Sequence, residues 1–427
     1  MNRLFFISII SLFTRVFGSC ASFLVTLLIT NRLDISDAGI FFFLLSVVNF
    51  GSNIFSMGAP NMIIRTLGRH SSIGNPICLR IIYSSFASVI KFTLLALLIS
   101  FAFSFSNFEF IDKYTIDSNF IYISLSVFFT VMILLISSCY QGLGKSVTGS
   151  FFQNVLTPLM FCVSTTFFYK YIDDGSYSFY FKLYTLCIFI VFIVSLFFIY
   201  PEIRRLHVVR EKFKIAERMS FLNLTYVASL QQCMQWSSHF ICAYYLMSFE
   251  LAIFSASQRT ATLITISLIA INLVYSPRFS KAYHEDDFNR LLDLFNNARL
   301  TMILVALPFF ISIFMFSDNV MGLFGDDYSL GSNVLIIMAI GQLIKVFFGP
   351  VLMLLNMTGH EKDLKEVLIF CTILGVVFSV ILTSFFGLVG GAISVSISVV
   401  LQNILAANKV KKRLGIDAFS FKLAGLR

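Results

Sequence analysis

Long apolar runs separated by short polar stretches occupy almost the whole chain, and this alternation sets the kind of element each segment can form. A helix needs about 20 apolar residues to cross the hydrocarbon core of a bilayer. Runs of that kind lie near residues 6–30, 39–60, 81–104, 119–140, 148–169, 179–200, 221–247, 251–275, 297–317, 332–355, 366–385 and 387–407. Lipid offers no hydrogen-bond partner to an exposed N–H or C=O, so such segments in series have to be helical. The pattern predicts an all-α integral membrane protein with about 12 transmembrane helices.

The first run follows Met1-Asn2-Arg3 directly, contains Arg15 and has no small-residue cleavage site, so it is expected to be a retained span. No polar stretch exceeds about 20 residues, too few for a separate soluble domain. The longest, near 201–220, carries Arg204, Arg205, Arg210, Lys212, Lys214 and Arg218 and falls at the midpoint. The expected organisation is an N-terminal six-helix lobe (1–200), a cytoplasmic basic linker (201–220), a C-terminal six-helix lobe (221–407) and a basic cytoplasmic tail (408–427).

The two halves resemble each other. Ala38-Gly39-Ile40-Phe41 opens the second run and Leu251-Ala252-Ile253-Phe254 the eighth. Ala59-Pro60 and Ser276-Pro277 close those same runs, and Gly144-Lys145 matches Gly359-His360-Glu361-Lys362. The near-constant offset predicts a duplication. With six spans per half, both halves start on the same side, as parallel repeats enclosing a central cavity.

Composition agrees with the membrane reading: 58% of residues are hydrophobic and 12% charged, where soluble domains are roughly half apolar and about a quarter charged. The formal net charge of +9 is a topology signal and not a nucleic-acid footprint. With both termini cytoplasmic, the inner segments hold 23 of the 31 Lys and Arg residues and the outer loops only 4, as the positive-inside rule requires. The tail residues Lys409, Lys411, Lys412 and Arg413 are expected to face anionic lipid headgroups. The segment Asp286 to Arg299 is amphipathic and is expected to lie on the inner membrane surface. The eight cysteines have no CxxC spacing and read as small buried hydrophobes, with no metal or disulfide expected. No P-loop or other catalytic motif occurs, so no ATP hydrolysis, cofactor or enzymatic role is expected.

The remaining four basic residues, Arg15, Lys91, Arg259 and Lys345, lie inside apolar runs, and no Asp or Glu lies that deep. A charge in hydrocarbon is costly and usually faces a wet cavity or a partner. The planar arginine fork suits phosphate oxygens, whereas a buried lysine amine can neutralise. Polar stripes accompany these cations: Asn49, Asn53 and Ser56 on the second run, Gln231, Gln235, Ser238 and His239 on the seventh, Gln258, Thr262 and Thr265 on the eighth. Such stripes either line a cavity or join helices by hydrogen bonds. Pro158, Pro308 and Pro350 mark expected kinks, and Asp173-Asp174 is an isolated acidic pair in an outer loop.

Several segments carry a family resemblance. Leu12-Phe13-Thr14-Arg15-Val16-Phe17-Gly18 and Asp34-Ile35-Ser36-Asp37-Ala38-Gly39-Ile40-Phe41 resemble the start of polysaccharide-biosynthesis flippases. So do Leu323-Phe324-Gly325-Asp326-Asp327-Tyr328, Gly341-Gln342-Leu343 and Leu354-Leu355-Asn356-Met357-Thr358-Gly359-His360-Glu361-Lys362. These are the Wzx-type O-antigen and repeat-unit transporters, in the superfamily of multidrug MATE exporters and lipid II flippases.

The resemblance implies a MATE-like architecture in the bacterial inner membrane. The expected cargo is an undecaprenyl-pyrophosphate-linked oligosaccharide, moved from the inner to the outer leaflet by alternating access. It also implies working partners among polysaccharide polymerase and chain-length proteins. Arg15 and Arg259 would engage the pyrophosphate, with Lys91 and Lys345 as further cations. Asn49, Asn53, Gln231, Gln235 and Gln258 would accommodate sugars. Proton, sodium or membrane potential is left open as the energy source. The competing expectations are a secondary transporter of a small soluble anion and a multidrug exporter.

Overall fold

The computed structural model describes residues 2–56, 58–71, 86–87, 90–91, 93, 113–114, 116–168, 176–204 and 215–420. Most of the run near 81–104, Cys78, the Asp173-Asp174 pair and residues 205–214 of the polar midpoint lie outside the described residues. Among the described residues the chain is helical with no strand, and eight helices are long and apolar enough to cross a membrane. The chain forms two compact units, Met1–Gln232 and Cys233–Arg427. Their boundary falls inside a helix, downstream of the polar stretch that sequence marks as the linker.

The first unit contains α1 (Asn2–Thr30), α2 (Ile35–Phe55), α3 (Ala59–Ser71), α4 (Ile116–Gly142), α5 (Ser146–Phe151), α6 (Thr157–Phe168) and α7 (Tyr177–Arg204). A π-helical turn, Phe152–Leu156, joins α5 to α6. Pro158 follows that turn directly. Proline lacks an N–H and crowds the carbonyl four residues back, and the wider turn accommodates both effects. An aromatic core unites α2, α6 and α7: Phe41 stacks on Phe161 with centroids 5.9 Å apart, and Tyr184 meets both edge-on.

Helix α8 (Ile215–Tyr245) crosses the unit boundary. The second unit continues with α9 (Ser248–Thr262), a 3₁₀ turn (Leu263–Thr265), α10 (Ile266–His284), α11 (Phe288–Met315) and α12 (Ser317–Gly322). A second 3₁₀ turn (Asp326–Gly331), α13 (Ser332–Phe348), α14 (Val351–Met357) and α15 (Glu361–Leu414) complete it. The eleventh and twelfth predicted runs are the two legs of α15, which reverses at Gly387 with φ 55° and ψ −131°. That backbone state is open to glycine and strained for other residues.

Two of the repeat anchors occupy equivalent local structure. Ala38 and Phe41 on the first two turns of α2 are fully buried, as are Leu251 and Phe254 on the first two turns of α9. Gly144 and Gly359 adopt nearly the same left-handed φ, 79° and 78°, just before α5 and α15. The Pro60 and Pro277 anchors differ: Pro60 starts α3 after a break, whereas α10 runs unbroken through Pro277.

One expectation about the inner face is corrected. The segment Asp286–Arg299 does not form a separate surface helix. Asp287 accepts a hydrogen bond from the Arg290 N–H at 3.0 Å and caps α11, which continues as one helix to Met315. Its apolar side, Leu291, Phe295, Ala298 and Met302, is buried against protein; the i, i+4, i+7, i+11 stripe seats a helix on its own bundle as readily as on lipid.

The tail cluster is also largely neutralised within the protein. Lys409 pairs with Asp363 and Glu366 at 2.9 and 2.6 Å, Arg413 with Asp363 at 2.7 Å, and Lys411 with Asp417 at 2.8 Å. The pairs of Lys409 and Arg413 connect the two ends of α15, which the reversal at Gly387 returns to the same level, whereas Lys411–Asp417 is local to the second end.

Candidate functional site

Arg15 lies midway along α1 and is half-buried. Its Nε donates to Ser150 Oγ at 3.4 Å. The contact depends on close packing of α1 against α5 and the π turn. A Cβ on Gly18, one turn further along, would lie 2.6 Å from the Asn154 carbonyl oxygen. Gly149 is equally confined, since a Cβ there would meet the Ser137 carbonyl oxygen at 2.6 Å. Gly18 lets α1 approach the turn, and Gly149 seats α5 closely on α4; together they hold Ser150 beside the guanidinium. Sequence reading missed Ser150, because its contact with Arg15 spans two helices.

On α2 the predicted polar stripe bonds to its own helix. Asn49 Nδ2 donates to Leu45 O at 2.9 Å, Asn53 Nδ2 to Asn49 O at 2.8 Å, and Ser56 Oγ to Asn53 O at 2.7 Å. Gly51 faces Val127 of α4, where an added Cβ would come within 3.3 Å. At 100° per residue, Asn49 and Asn53 therefore lie well round the helix from the α4 contact, and both remain half-exposed. Lys91 is helical and exposed.

The stripe on α8 divides into two roles. Ser238 is buried, and its Oγ shares a 2.7 Å hydrogen bond with Ser379 Oγ, which donates at 3.1 Å to Ser394 Oγ. Cys242 Sγ contacts Thr383 Oγ1 at 3.7 Å, one turn on. This seam fastens α8 to both legs of α15, which is the helix-joining role. Gln231 and Gln235 are exposed, on the unit boundary and just beyond it.

His239 turns from the seam toward α9. It is 2% exposed and shares a hydrogen bond with the Gln258 side chain. Trp236 and Phe254 flank the ring, each with its centroid 5.8 Å away. Gln258 and Arg259 are half-buried. The structure therefore pairs His239 with Gln258 across α8 and α9 within the second unit. Sequence reading placed His239 on the polar stripe of this run but did not pair it with Gln258, because that link spans two helices.

Arg259 and Lys345 share a further property. Arg259 occupies the last turn of α9 before the 3₁₀ turn, and half-buried Lys345 the last turn of α13 before Gly349 and Pro350. The C-terminal end of a helix carries partial negative charge, so each cation lies where its own helix favours positive charge.

Arg299, counted by sequence with the inner loop, is instead 2% exposed. It donates to Ala418 O at 3.0 Å, Ser420 O at 2.9 Å and Asn296 Oδ1 at 3.3 Å, with its guanidinium over the Phe295 ring. This arginine anchors the C-terminal segment and does not belong to the cationic set. Among the described residues no His, Cys, Asp or Glu cluster could hold a metal ion.

Residues 224–381 match the MatE family model. Over 185 residues the chain is 25% identical to the probable low-salt glycan biosynthesis flippase Agl15 of Haloferax volcanii. That alignment covers 42% of this chain and 39% of the relative, so the chain spans well under half of that protein. Among solved structures, the fold is similar to a multidrug resistance MATE family transporter of the MOP superfamily in an inward-facing conformation. The TM-score is 0.73 at 15% identity, over 96% of this chain and 98% of that one. It is also similar to a MOP superfamily transporter from Pyrococcus furiosus, whose binding pocket is described as reversed in polarity, suggesting a different function. There the TM-score is 0.68 at 14% identity, over 96% and 95% of the two chains.

Proposed function

We infer, from the chain's place in the MATE/MOP superfamily by fold and by its MatE segment, that this multi-pass membrane protein is a carrier and not an enzyme. We propose that its cargo is a lipid-linked glycan, specifically an undecaprenyl-pyrophosphate-linked oligosaccharide repeat unit of O-antigen or capsule type. The carrier would flip it from the inner to the outer leaflet of the bacterial cytoplasmic membrane by alternating access, with both termini cytoplasmic. The observation that carries the reading is the set of intramembrane cations without a carboxylate at equal depth.

A pyrophosphate diester carries about two negative charges, and its attraction to a cation strengthens as water is excluded. Arg15 and Arg259 supply forks suited to its oxygens, and Lys91 and Lys345 add charge. The amides of Asn49, Asn53, Gln231, Gln235 and Gln258 suit sugar hydroxyls, as donors and as acceptors. The lipid tail would remain in the bilayer. Flipped units would pass to a polysaccharide polymerase and its chain-length partners. The likeness to a glycan biosynthesis flippase supports the cargo class.

The test is genetic. Loss of the gene should remove surface polysaccharide and leave lipid-linked repeat units on the inner leaflet. Arg15→Ala and Arg259→Ala, expressed at wild-type level, should fail to restore the polysaccharide. Full restoration by both variants would overturn the assignment. So would uptake of a soluble anion that persists after undecaprenyl carrier depletion, which would favour a small-anion transporter.

A further inference from the structure

The Arg15 guanidinium is held at one nitrogen and open at the other two. Its Nε donates to Ser150 Oγ at 3.4 Å, and among the described residues the guanidinium makes no other hydrogen bond or ion pair. We propose that Ser150 is a positioning residue of the anion site. It fixes the Arg15 fork so that Nη1 and Nη2 receive a phosphate-type anion end-on. This inference rests on the anion-carrier reading and adds to it a residue and a binding mode.

The serine hydroxyl is a fixed point. Ser150 is fully buried near the end of α5, and both of its flanks are tied down. On one side Gly149 O accepts from Ser137 Oγ of α4 at 2.7 Å. On the other, Asn154 Nδ2 in the π turn donates back to Ser150 O at 3.2 Å. Gln153 Oε1 of the same turn accepts from Ser137 Oγ at 3.1 Å and from Gln141 Nε2 at 3.3 Å. The α1 backbone is equally confined, since Gly18 leaves no room for a Cβ beside Asn154. π turns inside helices are frequent at functional sites, and this one braces Ser150 while abutting α1.

A free arginine side chain loses rotamer freedom when it binds an anion. A bond at Nε removes part of that freedom beforehand, and such preorganisation favours binding. Nε and one Nη form the side of the fork, and the two Nη groups form its end. With Nε engaged by Ser150, the end is the edge left to hold two oxygens in parallel. Arg15 is half-buried, and neither Nη is sealed inside protein.

The experiment measures binding to the full purified chain by calorimetry. The probe is citronellyl-pyrophosphoryl-N-acetylglucosamine, a short-chain pyrophosphate diester. Arg15→Ala should bind it far more weakly than the wild type. Ser150→Ala should bind about tenfold more weakly, the scale of one hydrogen bond to a charged group. Arg15→Lys keeps the positive charge but removes Nε and the fork. Ser150→Ala added to Arg15→Lys should therefore weaken binding no further.

Unchanged or tighter binding in Ser150→Ala, with binding weakened in Arg15→Ala, overturns the proposal while the carrier reading survives. An equal loss from Ser150→Ala with and without Arg15→Lys also overturns it, because the serine would then act on the fold alone. Wild-type affinity in Arg15→Ala removes Arg15 from the site, and this inference with it. No wild-type binding removes the anion-carrier reading and this inference together.

Discussion

Gly18 of α1 lies directly against the main-chain carbonyl of Asn154, in the π turn ahead of α6. A methyl group there would lie 2.6 Å from that oxygen, and the obstacle is backbone, so it cannot rotate away. Gly18→Ala should therefore destabilise the first unit by about 1–3 kcal/mol, read as a lower melting temperature in detergent. A wild-type melting temperature would show that α1 approaches the turn less closely.

The reversal in α15 gives a second expectation. Gly387 holds φ at 55°, and a Cβ on Gly390 would lie only 1.8 Å from the Leu382 carbonyl oxygen. Alanine at position 387 should cost about 1–3 kcal/mol in backbone strain, and alanine at 390 at least as much. Alanine at Gly322, where nothing lies within 4 Å of an added Cβ, should be tolerated. Thermal unfolding of the three variants side by side tests the ranking.

Removing the anchor of the C-terminal segment should release it. Arg299→Met keeps the volume but leaves the Ala418 and Ser420 carbonyls without their donor, at about 1–3 kcal/mol for each group left buried and unpaired. Limited proteolysis should then cut near 415–420 much faster than in the wild type. Arg299→Lys should give only partial protection, because an ammonium lacks the planar fork that spans two carbonyls. Equal protection in all three proteins would refute the anchoring role.

Acid should weaken the junction between the ends of α15. Asp363 lies outside the predicted run near 366–385, and its side chain is 7% exposed. The hydrogen bond from Arg413, aided by Lys409, holds its carboxyl down to about 2. A depressed folded-state value contributes stability that is fully present above the ordinary carboxylate range near 4. It is lost as pH falls through about 2. The gap in thermal stability between wild type and Asp363→Asn should therefore be widest above pH 4 and close progressively toward pH 2. A gap that is constant with pH would exclude this linkage.

Hydropathy made the helical spans legible, because apolar length is a requirement of the bilayer itself. The interruptions were legible only where chemistry marks them. Gly349-Pro350 announces the break after α13, whereas the 3₁₀ turn at Leu263–Thr265 is written in ordinary apolar and hydroxyl residues. The continuity of α11 was not legible, since a stripe such as Leu291, Phe295 and Met302 fits a membrane surface and a protein surface equally well.

Of the candidate site, sequence found Arg15, Arg259, Gln258 and His239, but not the partner Ser150 or the pairing of His239 with Gln258. Those contacts join residues far apart along the chain, as do the pairs from Asp363 to Lys409 and Arg413 on the two legs of α15. Periodicity along one helix carries no record of its neighbour.

The position of Lys345 at the end of an interrupted helix has a consequence for how cargo would be admitted. A cation neutralised by an acidic side chain must give up that counter-ion before it can receive another anion. At Lys345 the compensation comes from peptide dipoles fixed in α13, and no Asp or Glu lies at the same depth. No carboxylate would have to depart there, so the arrival of an anion would be an addition and not an exchange.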